Sequence, residues 1–186
     1  MRVIAGTLKG RRLEAPTWEG LRPTSDKLRE TLFNILAARI VGARVLDGYA
    51  GTGAVGIEAL SRGAASALFV EENSGAASVI ERNLTRTKLE GRVRKQDVFA
   101  FLKSTQTPEP FRIIFADPPY EKTKSGGEFT RLLLESTELA GMLDGSGFFV
   151  LEKRPVEKVA PTPLWNITRA KKYGATEVLF LQRASS

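Results

Sequence analysis

The feature that most constrains the fold is a rhythm. Between residues 44 and 152, short apolar runs alternate with stretches of helical periodicity. Strands are expected at 44–47, 67–71, 92–96, 111–116 and 148–152, and helices at 55–62, 74–88, 99–103 and 129–142. Strand, helix and strand in succession place the two strands parallel, with helices on both faces of one sheet. The end of the chain breaks the pattern. Residues 165–172 and 177–182 read as two strands joined at Tyr173-Gly174, which adds an antiparallel hairpin to the sheet. The beginning differs too: 2–15 reads as a small β-hairpin turning through 6–10. A helix capped by Thr24 or Ser25 then buries Leu28, Leu32, Ile35, Leu36 and Ile40. The Pro-bounded stretch 16–23 reads as a linker. The expected organisation is a hairpin extension over 1–22 and one α/β domain over 23–186, a length suited to one core.

Ligands of open α/β sheets bind beyond the C-terminal ends of the strands. Here four successive strands end in an acid: Asp47, Glu71, Asp97 and Asp117. Any one alone is equally a loop acid or a helix cap, and Asp97 stands where it would cap 98–103. Four in order are harder to set aside. After the first comes Asp47-Gly48-Tyr49-Ala50-Gly51-Thr52-Gly53-Ala54-Val55-Gly56. Gly51, Gly53 and Gly56 fit the dinucleotide pattern GxGxxG, with Glu71 twenty residues after Gly51 as a ribose acceptor. A nicotinamide dehydrogenase is the obvious reading, and three points oppose it. The Asp47 carboxylate would repel a pyrophosphate, whereas it suits the ammonium and sulfonium of S-adenosylmethionine. Little chain remains for a separate substrate region. Hydride transfer also gives no role to the fourth strand end.

That strand end reads Asp117-Pro118-Pro119-Tyr120. Two prolines remove two N–H donors and hold the chain extended. The Asp117 carboxylate and the Pro118 carbonyl then form a platform of acceptors beside a phenol ring. Such a platform suits a planar amine, such as the exocyclic amine of a base; a Pro-rich turn with a solvated Asp is the plainer alternative.

Composition closes other routes. The chain has no cysteine and no histidine, which removes thiol nucleophiles, zinc-thiolate sites, Ser-His triads and His-ligated metals. Acid–base work falls to carboxylates, Lys or Tyr. No apolar run approaches the ~20 residues of a membrane span, and the N-terminus is too quickly polar for a signal peptide, so a cytoplasmic protein is expected. The net charge of +7 is not evenly spread: residues 1–30 contribute +3, residues 151–186 contribute +4, and the middle is neutral. Basic ends point to a polyanionic partner.

Taken together, these motifs resemble the class I S-adenosylmethionine-dependent methyltransferases. More closely, they resemble the bacterial family that methylates N2 of guanine 966 in 16S ribosomal RNA. The resemblance runs from Arg2-Val3-Ile4-Ala5-Gly6 and Lys9-Gly10-Arg11 through Arg22-Pro23-Thr24 and Arg29-Glu30-Thr31-Leu32-Phe33-Asn34. It continues through Gly51-Thr52-Gly53-Ala54, Glu58-Ala59-Leu60-Ser61-Arg62-Gly63-Ala64, Asp117-Pro118-Pro119-Tyr120 and Lys172-Tyr173-Gly174. Gly48-Tyr49 and Ala116 depart from the family pattern in volume and remove no functional group. The resemblance implies a Rossmann-like, mainly parallel seven-stranded sheet. It implies a cofactor held by Asp47, Tyr49, Ala50, Gly51, Thr52, Gly53, Glu71, Glu72, Asp97, Val98 and Asp117, and catalysis at Asp117, Pro118, Pro119 and Tyr120. RNA would be gripped by Lys9, Arg11, Arg12, Arg22 and Thr24. The expected partner is ribosomal RNA in the small subunit or its assembly intermediate, met by a monomer without metal. The rival readings are methylation of DNA adenine or a protein glutamine, and a non-catalytic RNA-binding module.

Overall fold

The computed structural model describes residues 1–15, 25–105, 107, 109–119 and 127–184. Seven strands form one sheet: β1 (Arg44–Gly48), β2 (Ser66–Val70), β3 (Arg92–Arg94), β4 (Phe111–Ala116), β5 (Leu143–Lys153), β6 (Trp165–Tyr173) and β7 (Thr176–Arg183). Their order is β3-β2-β1-β4-β5-β7-β6. The first five are mutually parallel and β7 runs antiparallel between β5 and β6. The chain reverses direction across the sheet between β1 and β4, the place where such folds open a ligand crevice.

Alternation along each strand divides the core. Val45, Ile113, Phe115, Val150, Val178 and Phe180 face one layer, which holds α1 (Asp26–Leu36), α2 (Ala54–Ser61) and α3 (Ser74–Thr87). Leu46, Ile114, Ala116, Phe149, Leu151, Leu179 and Leu181 face the other, with α4 (Val98–Ser104), α5 (Glu128–Glu135) and α6 (Thr137–Met142).

Local chemistry sets the boundaries. Ser25 caps α1 by accepting from the Leu28 N–H at 3.2 Å, and the alternative cap, Thr24, lies outside the described residues. Asp97 caps α4. The single helix expected at 129–142 is two, because Ser136 leaves the helical conformation and its hydroxyl caps the second. The third strand is shorter than expected and the fifth longer, starting at Leu143 rather than 148.

The N-terminal hairpin is a tight loop with one bridge, Arg2 to Arg12, rather than two full strands. It buries Val3 and Leu13 in the α1–α3 layer. No described helix is long and apolar enough to cross a membrane.

Candidate active site

A cleft opens at the C-terminal ends of β1, β4 and β5, lined by Asp47, Tyr49, Ala50, Gly51, Thr52, Phe115, Asp117, Val150 and Glu152 among others. The glycine loop forms one wall. Gly51 and Gly53 adopt φ of 54° and 74°, a region where a Cβ is disfavoured, which explains the choice of glycine. A Cβ on Gly56 would stand 2.3 Å from the Phe69 ring, so this glycine lets α2 pack on β2. Tyr49 also sits at positive φ, 62°. Its ring packs edge-on to Phe129, which stacks on Phe99. Its buried hydroxyl has no hydrogen-bond partner among the described residues.

Asp47 is buried, and its Oδ2 accepts the Gly56 N–H at 2.8 Å, tying the strand end to the start of α2. Burial pushes its carboxyl up to about 7, against the Gly56 hydrogen bond and with help from the charge of Glu71. Asp117, half-buried, is raised well above the carboxylate range by burial, then by the charges of Glu152 and Asp47. Neither acid has a cationic partner among the described residues. A cleft that holds buried carboxylates without a counter-charge is chemically matched to a ligand that brings one.

The Asp47 shift has a consequence for stability. The folded protein holds this proton more tightly than the unfolded chain, whose carboxyl titrates near 3.8. Stability from this group is therefore lost as pH rises from about 4 to about 7. Asp47→Asn keeps an acceptor for Gly56 and abolishes the titration. Without ligand it should be more stable than the parent by on the order of 2–4 kcal/mol at pH 8 and gain nothing at pH 3. Thermal unfolding at both pH values checks this; an equal gain at both would contradict it.

The other expected site residues divide. Glu71 Oε2 accepts the Gly51 N–H and Oε1 the Asn73 N–H, both at 2.8 Å, so this acid shapes the glycine loop. Asp97 is exposed, one oxygen spent on the Ala100 N–H at 2.8 Å. Glu72 is exposed nearby; the charges of Asp97 and Glu72, after burial, raise the Tyr49 phenol. Val98 is buried in the second core layer, and Gly53 packs against Ile80 behind the loop. Thr52 lines the cleft but is buried, and its hydroxyl donates to Met1 Sδ at 3.4 Å. Asp117 and Pro118 part company: Asp117 lines the cleft, whereas Pro118 is buried beside Phe129, Thr130 and Lys153 on the other side. Pro119 is exposed. Tyr120, Arg22 and Thr24 lie outside the described residues. Lys9, Arg11 and Arg12 are exposed on the hairpin with no ion pair to a described residue.

Two residues escaped the sequence reading. Glu152 lines the cleft at the end of β5; the expected strand 148–152 ended on this acid, the same signal as the four counted. Glu58, fully buried on α2, accepts the Ile4 and Ala5 N–H groups at 2.7 and 3.0 Å and the Arg62 guanidinium at 2.7 Å. It anchors the hairpin to the domain.

The family model described as "Conserved hypothetical protein 95" matches residues 1–182. The chain belongs to this family. Ribosomal RNA small subunit methyltransferase D of Escherichia coli K12 is 38% identical over 191 residues, covering 98% of this chain and 90% of that one. A putative rRNA methyltransferase, YlbH of Bacillus subtilis, is 37% identical over 98% of this chain and 99% of its own. The structure of a putative methyltransferase, yhhF of E. coli, superposes with a TM-score of 0.82 at 38% identity, covering 100% of this chain and 99% of that one. The 16S rRNA N2 G1207 methyltransferase of Thermus thermophilus, solved with AdoMet and guanosine, superposes at 0.71 over 90% of this chain and 44% of its own, at 22% identity. The mainly parallel α/β sheet expected from the rhythm of the sequence, and the class I methyltransferase fold that the resemblance implied, are the fold found here.

Proposed function

We propose that this protein transfers a methyl group from S-adenosylmethionine to the N2 amine of guanine 966 in 16S ribosomal RNA. The observation that carries the reading is Asp117, a carboxylate at the end of β4 in one cleft with Asp47, both without a cationic partner among the described residues. The names of the E. coli and B. subtilis relatives, an rRNA small-subunit methyltransferase and a putative rRNA methyltransferase, support an RNA substrate. Methylation of DNA adenine or a protein glutamine has no comparable support. The same proposal puts the protein in the cytoplasm, takes the small subunit or its assembly intermediate as partner, and takes a monomer as the working unit.

Asp47, Tyr49, Ala50, Gly51, Thr52, Gly53, Glu71 and Asp117 would hold S-adenosylmethionine, with Glu72, Asp97 and Val98 toward its adenosine end. The bound cofactor supplies an electrophilic methyl group on a sulfonium centre. The protein's task lies on the other side. An exocyclic amine is a poor nucleophile because its lone pair is delocalised into the ring. Asp117 and the backbone carbonyl of Pro118, whose ring lies on the other side, would accept its two N–H bonds, concentrate electron density on nitrogen and hold it in line. Methylated, the nitrogen becomes acidic, and Asp117 takes the released proton. Tyr120 would stack on the base, worth about 1–3 kcal/mol. The target must leave its stack to reach the cleft, which favours an RNA loop.

Labelled methyl transfer to undermodified small subunits, with mapping of the labelled nucleotide, tests the proposal. Label on guanine N2 supports it; label on adenine, on protein or nowhere overturns it. The hairpin makes a separate prediction. Replacing Lys9, Arg11 and Arg12 together with Gln should reduce the slope of log affinity against log salt by about 2–3, at roughly 0.7–0.9 per lost phosphate contact. An unchanged slope in filter-binding titrations would remove the hairpin from the RNA grip.

A further inference from the structure

Glu152 is the cleft carboxylate that this mechanism leaves without a task. Its place is fixed by register. Ala116 of β4 pairs with Leu151 of β5, so the next step sets Asp117 beside Glu152 on strands about 5 Å apart. Alternation turns both toward the α1 layer, with Phe115 and Val150 one step beneath, and both line the cleft. The Thr176 hydroxyl, at the start of β7, hydrogen-bonds to Glu152. The lysine next in the chain is no counter-ion. Lys153 turns to the opposite face, where it pairs with Glu177 at 2.7 Å and donates to the Glu157 carbonyl at 2.7 Å. No described residue forms an ion pair with Glu152, and burial raises its pKa. An acid kept in a desolvated cleft without a cation is costly to the fold. Its retention there fits a ligand that supplies donors.

Two carboxylates side by side on one wall ask for a planar group with two adjacent N–H donors on one edge. Guanine has that edge, N1–H next to the N2 amine. Adenine and cytosine each place a bare ring nitrogen next to their amine, and a glutamine amide places a carbonyl there. We propose that Glu152 reads the base: its carboxylate accepts guanine N1–H while Asp117 accepts from the N2 amine. The donors of the base favour the ionised carboxylate over the protonated one. This inference rests on the guanine-N2 reading above and adds the residue that selects guanine.

The test uses small subunits reconstituted with 16S RNA ligated to carry either guanine or 2-aminopurine at the methylated position. 2-Aminopurine keeps the 2-amine but presents a lone pair in place of N1–H. A site built to hydrogen-bond a donor rejects an analogue lacking it, so the unaltered protein should favour guanine on the order of 1,000-fold in kcat/KM. Glu152→Gln keeps an acceptor for Thr176 and adds an N–H that suits the bare nitrogen. It should lower kcat/KM on guanine about 100-fold, raise it on 2-aminopurine, and bring the ratio to about ten or below. Glu152→Asp, which keeps the charge, should slow the reaction but retain the preference. S-adenosylmethionine affinity should not change in either variant. Equal losses on both bases, or weakened cofactor binding, would overturn the role of Glu152. A protein that methylates guanine with the ratio unmoved by Glu152→Gln defeats this inference alone; one that never methylates guanine defeats the parent reading and this with it.

Discussion

Asp117→Ala should lower turnover on small subunits by on the order of 100-fold or more, with S-adenosylmethionine binding retained. The carboxylate stands at the mouth of the cleft, beyond the last pair of β4, and no hydrogen bond of the sheet depends on it. Removing it relieves a desolvated acid whose carboxyl is already raised by burial and by Glu152, so the fold should not suffer. What disappears is an acceptor aimed at the amine as charge develops on nitrogen. Single preorganised groups of this kind contribute about 10²–10³ in rate. The cofactor keeps Asp47, Glu71 and the glycine loop. The pH profile supplies a second readout. A carboxylate held above its usual range must lose its proton before it accepts an N–H, so kcat/KM of the unaltered protein should rise with pH through that ionisation. In Asp117→Ala this contribution should vanish. Single-turnover rates and cofactor titration by calorimetry check both points. Near-normal turnover would remove Asp117 from the chemistry.

Much of this was legible in the sequence because it depends on periodicity and on strand ends. The β/α rhythm gave the order of elements, and the rule that ligands gather at strand C-termini singled out Asp47 and Asp117. What the sequence hid were matters of which way a side chain turns. Asp117 and Pro118 are adjacent in the chain, yet alternation sends them to opposite sides of the sheet. Glu71 and Asp97 sit at strand ends as expected, yet backbone N–H groups already occupy part of each carboxylate. Glu152 carried the same signal as its four predecessors, an acid at the end of a parallel strand. Glu58 was hidden for a different reason. Its partners, Ile4 and Ala5, lie more than fifty residues away, and no local pattern announces a buried acid whose ligands are distant backbone amides.

Glu58→Ala should loosen the N-terminal hairpin on an otherwise folded domain. The acid is completely buried and serves three donors at once: the N–H groups of Ile4 and Ala5 and the Arg62 guanidinium. Truncation leaves two amides and the half-buried Arg62 guanidinium without their acceptor, a loss on the order of 2–4 kcal/mol. The loss falls on the face toward α2; Arg29, donating to the Arg2 carbonyl at 2.7 Å, and the Arg82–Glu14 pair still tie residues 1–15 to α1 and α3. Ser61 adds the rest of the α2 contact, accepting the Leu8 N–H at 3.0 Å, donating to the Ala5 carbonyl at 2.7 Å and offering its own carbonyl to the Thr7 N–H at 2.8 Å. Gly6 fits there only without a side chain, since a Cβ would stand 1.8 Å from the Ser61 carbonyl oxygen. Gly6→Ala therefore attacks the same contact from the hairpin side and leaves the domain untouched. Both variants should become sensitive to proteolysis within 1–15, bind RNA more weakly and show the reduced salt slope of the Lys9, Arg11 and Arg12 replacement. S-adenosylmethionine affinity should change less, by what the glycine loop loses when Met1 leaves Thr52. If Gly6→Ala loosens the hairpin while RNA affinity and its salt slope stay unchanged, the hairpin is a structural strap and the RNA grip must be sought elsewhere. The exposed cations of β6, Arg169, Lys171 and Lys172, would then be the next residues to test.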